Sequence, residues 1–443
     1  MRIQPWTTLL GLAVLGFGSA AVLIVPATTV AASTKAPTLY VSPGASNVSD
    51  KSCTAAGYGT IQSAVNAAAA GDNIVVCAGT YPEQVTITTS NLTLTGQGIA
   101  TIQPTSATVN AADLDSAEPI VAIIAIESPA IGVHLSGLTV DGSGIQASVD
   151  GCADDLVGVL YQASTGSASA TLKHLTIGNV TPFDSGCGAG LGILAQAGTT
   201  GAAKASLTIS NNAVSGYGKN GVTCGDVGIK CTISSNTITT TATGAAAQNG
   251  VQVGFGAVGS VTDNTISGND WTGTGTDPNP QVQSDFAAGV LLYAAGINGA
   301  GATTSSISVN GNHLTNNQIG VEVVDSAASV KSNSILESSP GIADSIGVYG
   351  VGCDAYCGYF NDNNGSPLNS VAASGQRVTV AKNTINFASP PPSGSYGIWL
   401  GDDAWSGGSG YYAPAGSETV SVSNPSIHNV THPLVIDPGA TIA

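Results

Sequence analysis

Positive charge is the scarcest commodity in this sequence: ten Lys plus Arg face 27 Asp plus Glu, a formal net charge of −17. Such a surface repels phosphate backbones and anionic headgroups, which excludes nucleic acid and membrane surfaces as expected partners. Aromatics make up 5% of the chain and charged residues 8%, too few of each for an ordinary enzyme of mixed helices and sheets. Long apolar runs are also missing, with one exception. Residues 9–25 follow Arg2 and give way to small residues near Ala31 and Ala32, which reads as a secretory signal over 1–32 whose removal leaves no membrane partner.

What is abundant is glycine, 58 residues of it, set in a phrase that returns. One version runs LTISNNAV (207–214), CTISSNTI (231–238), SVTDNTI (260–266), ISVNGNHL (307–314) and VKSNSI (330–335). Between the copies sits a second phrase, GVTC (221–224), GVQV (250–253), GVLL (289–292) and GVEV (320–323). A period of two means strands, and their return every 20 to 30 residues or so means a solenoid. One rung is then a Gly-Val strand, a turn, a Leu-x-Ile strand, a tight corner at Asn, and a third short strand. The corner asparagines Asn212, Asn236, Asn264, Asn312, Asn333 and Asn383 are expected in the left-handed conformation, stacked as an internal ladder. Earlier rungs carry Leu138 and Leu175 instead, so the ladder is expected to begin at Asn212.

These repeats resemble the right-handed parallel β-helices of the pectin-lyase-like superfamily. The opening LYVSP (39–43), GTIQSAVNAA (59–68) and GDNIVVCAGTYPE (71–83) looks like the entry segment of its secreted bacterial members. The expected fold is therefore an all-β, single-stranded right-handed parallel β-helix of about ten coils and three sheets. It would occupy 33–443 as one domain, with a cap over about 37–83 and coils over about 84–437. A helix over Tyr58–Ala70, capped by Thr60 and ended by Gly71, would plug the open first rung.

Eight cysteines in an exported chain imply disulfides. Pairing neighbours along the chain gives Cys53 with Cys77, Cys152 with Cys187, Cys224 with Cys231 and Cys353 with Cys357, although other connectivities stay open. No histidine lies near these pairs and their spacing is not that of a zinc site, so no metal is assigned to them.

Function is sought where the repeat is interrupted. Insertions at 271–286 and 386–396 precede a Gly-Val strand, and those at 352–376 and 401–417 follow one, so they flank one sheet late in the helix. Long loops on a rigid scaffold are the usual place for a site, and in the superfamily they wall a substrate cleft. The outward positions of that sheet are Thr223, Gln252, Leu291, Glu322, Tyr349 and Trp399. Beyond its end come Asp226, Asp325, Asp354, Asp402 and Asp403, then Trp405. Asp226, Asp325 and Asp402 share one offset from their glycines. Rungs stack about 4.8 Å apart, which places Asp325 and Asp402 about 9 to 10 Å from each other, near the carboxylate separation of an inverting glycosidase. The same acids at strand ends could simply make turns.

The candidate catalytic residues are therefore Asp402, Asp403, Asp325, Glu322 and Asp354. Trp399, Tyr349, Trp405, Gln252 and Trp271 are candidates for holding a sugar. A lyase is disfavoured because the chain beyond the signal has a single arginine, Arg377, at the start of a strand away from the acids. The polygalacturonase and pectin methylesterase motifs are absent, apart from the Asp402-Asp403 dipeptide. Ca2+ is a possible cofactor, since strand-end acids supply oxygen ligands. Asp113, in an early segment, is expected to be inert. The chain thus reads as a secreted, monomeric, extracellular β-helix that engages a polysaccharide or cell-surface glycan, either as a glycoside hydrolase or as a non-catalytic glycan-binding, adhesin-like or structural rod.

Overall fold

In the computed structural model the described residues run from 36 to 442, apart from 47–48, 115, 184–188, 199–202, 241–246, 271–286, 297–304, 325, 338–345, 352–375, 392–394, 402–417 and 437–440. They form a parallel β-helix. Each rung repeats one plan: the strand Asn220–Gly225, a turn, the strand Ile229–Ser234, a corner, the short strand Thr237–Thr239, then the next rung at Asn249–Gly254. The strands of these rungs pair in parallel with their counterparts one rung away, Thr223 opposite Gln252 and Ile233 opposite Val261, for example. The Gly-Val strands stack as a single path of eleven, from Val85–Ile87 to His432–Ile436.

The glycine that opens each of these strands is fixed by packing. A Cβ on Gly221 would lie 2.6 Å from the carbonyl oxygen of Gly250 and 2.5 Å from Ile238 Cγ2, and one on Gly192 would lie 2.4 Å from the Gly221 oxygen. Each glycine thus lets the next rung close down on it. Behind the column, Val222, Cys224, Val251, Val253, Val290, Leu292, Val321 and Val323 are fully buried. Each such side chain is stabilised by roughly 1.5 to 3 kcal/mol through its removal from water.

The ladder begins and runs as the repeat implies, but its corner is built differently. The left-handed residue is the one before each ladder asparagine: Asn211, Ser235, Asp263, Gly311, Ser332 and Lys382 all have φ between 54° and 70°. That frees the asparagine to turn inward, where all six are buried. Asn236 Oδ1 accepts both from Asn212 N–H and from Asn212 Nδ2, each at 2.9 Å. Asn264, Asn312, Asn333 and Asn383 repeat the arrangement on the rung before each. The second hydrogen of each amide goes to a backbone carbonyl, as in Asn264 Nδ2 to Ile233 O at 3.0 Å. Leu175 ends the ladder on one side, donating only its N–H to Asn212 Oδ1. At the other, Pro425 holds the next corner position and has no amide side chain to continue it.

A second inner corner, after the short strand, is heterogeneous. Tyr217 Oη donates to Asn269 Oδ1 at 2.7 Å, and Asn269 Nδ2 donates to Asn317 Oδ1 at 2.7 Å. Glu337 follows, in register with Phe387 on the next rung and 2% exposed. Asn317 N–H is directed toward its carboxyl, yet neither oxygen closes a hydrogen bond. Burial, and secondarily the charge of Asp270, hold this acid well above the usual carboxylate range.

The capping helix is shorter than the sequence suggests, Ile61–Ala67, because Ala68 is already extended and Gly71 turns the chain only afterwards. Thr60 caps it as expected, accepting from Ser63 N–H. Glu83 adds a second cap, its two oxygens accepting from Ile61 N–H at 2.7 Å and Gln62 N–H at 2.9 Å. Ile61, Ala64 and Val65 are buried on the first rung. Two expected disulfides are formed, Cys53–Cys77 and Cys224–Cys231. Cys152 is disulfide-bonded as well, while Cys187, Cys353 and Cys357 lie outside the described residues.

Candidate functional site

The outward face of the Gly-Val sheet carries two columns of positions. One is the expected set, Thr223, Gln252, Leu291, Glu322, Tyr349 and Trp399, which follow one another in register, rung by rung, with Leu194 before them and Val435 after. The other is set by the residue immediately before each glycine: Leu191, Asn220, Asn249, Ala288, Ile319, Ile346, Tyr396 and His432. The two columns touch. Asn220 Nδ2 donates to Thr223 Oγ1 at 2.9 Å, and the rings of Tyr396 and Trp399 lie 4.7 Å apart.

The face changes character along the axis. Early rungs are apolar, with Val157, Leu160, Leu191 and Leu194 in one cluster. The middle is a polar network in which Asn249 Nδ2 donates to Asn220 Oδ1, and Asn220 Nδ2 also donates to Gln252 Oε1 at 2.8 Å. Gln252 is thus already engaged by a neighbouring side chain. Late rungs combine an apolar floor of Ala288 and Ile319, against which Leu291, Tyr396 and Trp399 pack, with the buried acid Glu322. Tyr396 meets two rings: Trp399, tilted at 33°, and, on the next rung, His432, stacked at 5.0 Å and 19°.

Of the expected site residues, Glu322 and Trp399 share this late surface and Tyr349 stands between them in register. Asp402, Asp403, Asp325, Asp354, Trp405 and Trp271 lie outside the described residues. Asp226, at the offset shared with Asp325 and Asp402, is a turn former. It is 1% exposed, and its Oδ2 accepts from Ala197 N–H at 2.9 Å and Gly198 N–H at 2.8 Å on the preceding rung. Among the described residues no cluster of three or more His, Cys, Asp or Glu is arranged to hold a metal.

Sequence reasoning missed Tyr396 and His432. Strict alternation from the glycine predicts outward positions only after it. The register places the residue before the glycine on the same outward surface, so reading Tyr396 and Trp399 as neighbours needs that second column. His432 belongs to the last outward rung.

No family model and no curated relative matches the chain. Solved structures do match. A selenomethionine derivative of the GH136 lacto-N-biosidase from Eubacterium ramulus gives a TM-score of 0.55 at 12% identity, over 92% of this chain and 67% of that one. The native form of the same protein gives 0.51 at 11% identity, over 91% and 67%. The Dettilon tailspike protein gives 0.49 at 12% identity, over 92% and 68%. At these identities the likeness is one of fold alone, a parallel β-helix.

Proposed function

We propose that the chain is an exported β-helix that holds a polysaccharide along the late outward face of its Gly-Val sheet. The observation that carries this reading is the contact of Tyr396 with Trp399 and His432, on the face that also carries the apolar Ala288 and Ile319 and, two rungs before Trp399, the buried Glu322. Sugar rings present C–H faces that pack on aromatic rings, while a carboxylate among apolar neighbours can accept hydroxyls or act as a general acid. The acidic, arginine-poor composition favours a neutral polymer or one bridged by Ca2+. The GH136 neighbour is by its name a lacto-N-biosidase, and it lends the same scaffold a glycan-cleaving precedent.

The burial of Glu322 favours hydrolysis over binding alone, because general-acid work requires a carboxyl shielded from water. Its partner would come from Asp325, Asp354, Asp402 or Asp403. The test is a panel of neutral and acidic polysaccharides, with and without Ca2+, scored for both retention and released reducing ends. Trp399→Ala is expected to weaken retention at least tenfold with the melting temperature held, and Glu322→Gln to abolish release. Asp402→Asn should do the same if Asp402 is the partner. Retention without release leaves a glycan-binding rod; neither retention nor release across the panel removes the proposal.

A further inference from the structure

The early end of the outward face is occupied by the chain itself. After Ile102 the chain returns as a short strand, Ala111–Ala112, antiparallel to Pro119 and Ile120, and Ala111 packs on the apolar cluster of the early rungs. Asn110 fastens its start: Oδ1 accepts from Ala122 N–H at 2.9 Å and Nδ2 donates to Ala122 O at 3.1 Å. Gln162 Nε2 donates to Ala112 O at 2.7 Å, Leu114 N–H donates to Gln196 Oε1 at 3.4 Å, and Gln196 Nε2 donates to Asp113 Oδ2. The strip thus reaches the end of the strand Leu191–Gln196, where a Cβ on Gly198 would lie 3.8 Å from Leu114 Cβ.

The rungs that follow let two rings lie against the sheet. Two residues beyond the outward Thr223 and Gln252 stand Gly225 and Gly254, in register with each other and with Tyr293. A Cβ on Gly225 would meet Phe255 Cδ2 at 3.7 Å, and one on Gly254 would meet both Tyr293 Cβ and Gln252 Nε2 at 3.7 Å. Phe255 holds φ at 55°, in the left-handed region that bulky residues rarely occupy. The rings of Phe255 and Tyr293 lie 5.9 Å apart at 47°, and both are partly exposed. The orientation of the Gln252 amide is set from the backbone. Ala288 N–H donates to Asn249 Oδ1 at 3.1 Å, which leaves Asn249 Nδ2 to donate to Asn220 Oδ1 and Asn220 Nδ2 to donate to Gln252 Oε1. With its oxygen engaged, Gln252 keeps its amide hydrogens, which meet no acceptor among the described residues.

We propose that Phe255, Tyr293 and Gln252 form a seat for the end of a glycan chain, at the point where the strip 110–114 blocks the outward face. The seat presupposes a glycan on the late rungs and adds where that glycan stops. The rings take the C–H face of the last sugar. Gln252, able only to donate there, takes a neutral oxygen acceptor such as a hydroxyl or acetamido oxygen. A chain running further would have to displace the strip and its hydrogen bonds to Ala122, Gln162 and Gln196, which belong to three successive rungs. The polymer is therefore held by its end and not at any point along its length.

Xylan, glucomannan and galactan, each whole and as partial hydrolysates, test this by calorimetric titration against the full secreted chain carrying Glu322→Gln, so that no cleavage intervenes. Stoichiometry should stay at one protein per sugar chain as the sugar chain lengthens. Phe255→Asn, a residue that tolerates the left-handed angle, and Gln252→Glu, which still accepts from Asn220 but offers no donor, should each weaken binding about three- to tenfold with the strands retained by circular dichroism. A stoichiometry that rises with length overturns the blocked end, and undiminished binding in either variant overturns the seat. In both cases a loss of binding in Trp399→Ala leaves the proposed function standing. No binding of any of these probes removes the seat together with that function.

Discussion

The two inner corners of the same rungs solve one problem in different ways. At the first, six asparagines satisfy one another and the backbone, and from Asn212 to Asn333 both hydrogens of each side-chain amide have acceptors that other rungs supply. At the second, Tyr217, Asn269 and Asn317 make a short chain that runs into an acid with no closed hydrogen bond. Buried polar groups stabilise a fold only when the set is complete, and an incomplete set is worse than an apolar one. The first corner should therefore be a source of stability and the second a cost.

Breaking the complete corner should have the largest effect. Asn264→Leu leaves Asn236 N–H and Nδ2 without their acceptor, takes one of two donors from Asn312 Oδ1 and removes the donor to Ile233 O, an expected loss of about 2 to 4 kcal/mol. A urea titration would register this as a lower midpoint with an unchanged slope. If the midpoint stays put, the ladder contributes nothing.

Mending the incomplete corner comes next, with the opposite sign. Glu337 has its folded pKa raised, so the stability linked to it is highest below the unfolded glutamate value of about 4.3 and declines as pH climbs above it. Glu337→Gln, which cannot ionise, should raise stability by about 1 to 3 kcal/mol at pH 8 and leave it near wild type at pH 4. Urea midpoints at the two pH values give the answer, and a gain of equal size at both would mean that ionisation is irrelevant. The smallest effect belongs to Tyr217→Phe. It removes one donor to Asn269 Oδ1 and should cost about 1 kcal/mol, visible as a small drop in melting temperature.

The contrast between the corners also shows what sequence could convey. The ladder was legible because one residue type recurs at one place in every rung, from Asn212 to Asn383, and the outward column from Thr223 to Trp399 was legible because strands alternate. Glu337 was not, because although alternation after Ile335 and Leu336 turns it inward, a lone acid there belongs to no recurring phrase. The left-handed corner residues escaped notice because Asn211, Ser235, Gly311 and Lys382 share no side-chain chemistry, only a backbone angle. At Asp226 the sequence left two roles open, and the backbone amides of Ala197 and Gly198 decide for the turn.

The ladder also makes the two ends of the solenoid electrically unlike. In the ladder asparagines the side-chain oxygen faces the rung before, and from Asn212 to Asn333 one amide hydrogen reaches the rung after, so the carbonyl dipoles, part of an amide dipole of about 3.5 D, point one way and add. The partial negative pole lies at Leu175, and the partial positive pole lies at Asn383, where Pro425 offers no amide oxygen to absorb it. That pole falls among the late rungs, level with the aromatic and acidic surface, so a chain with hardly any cations still gives its late half a fixed positive bias from within.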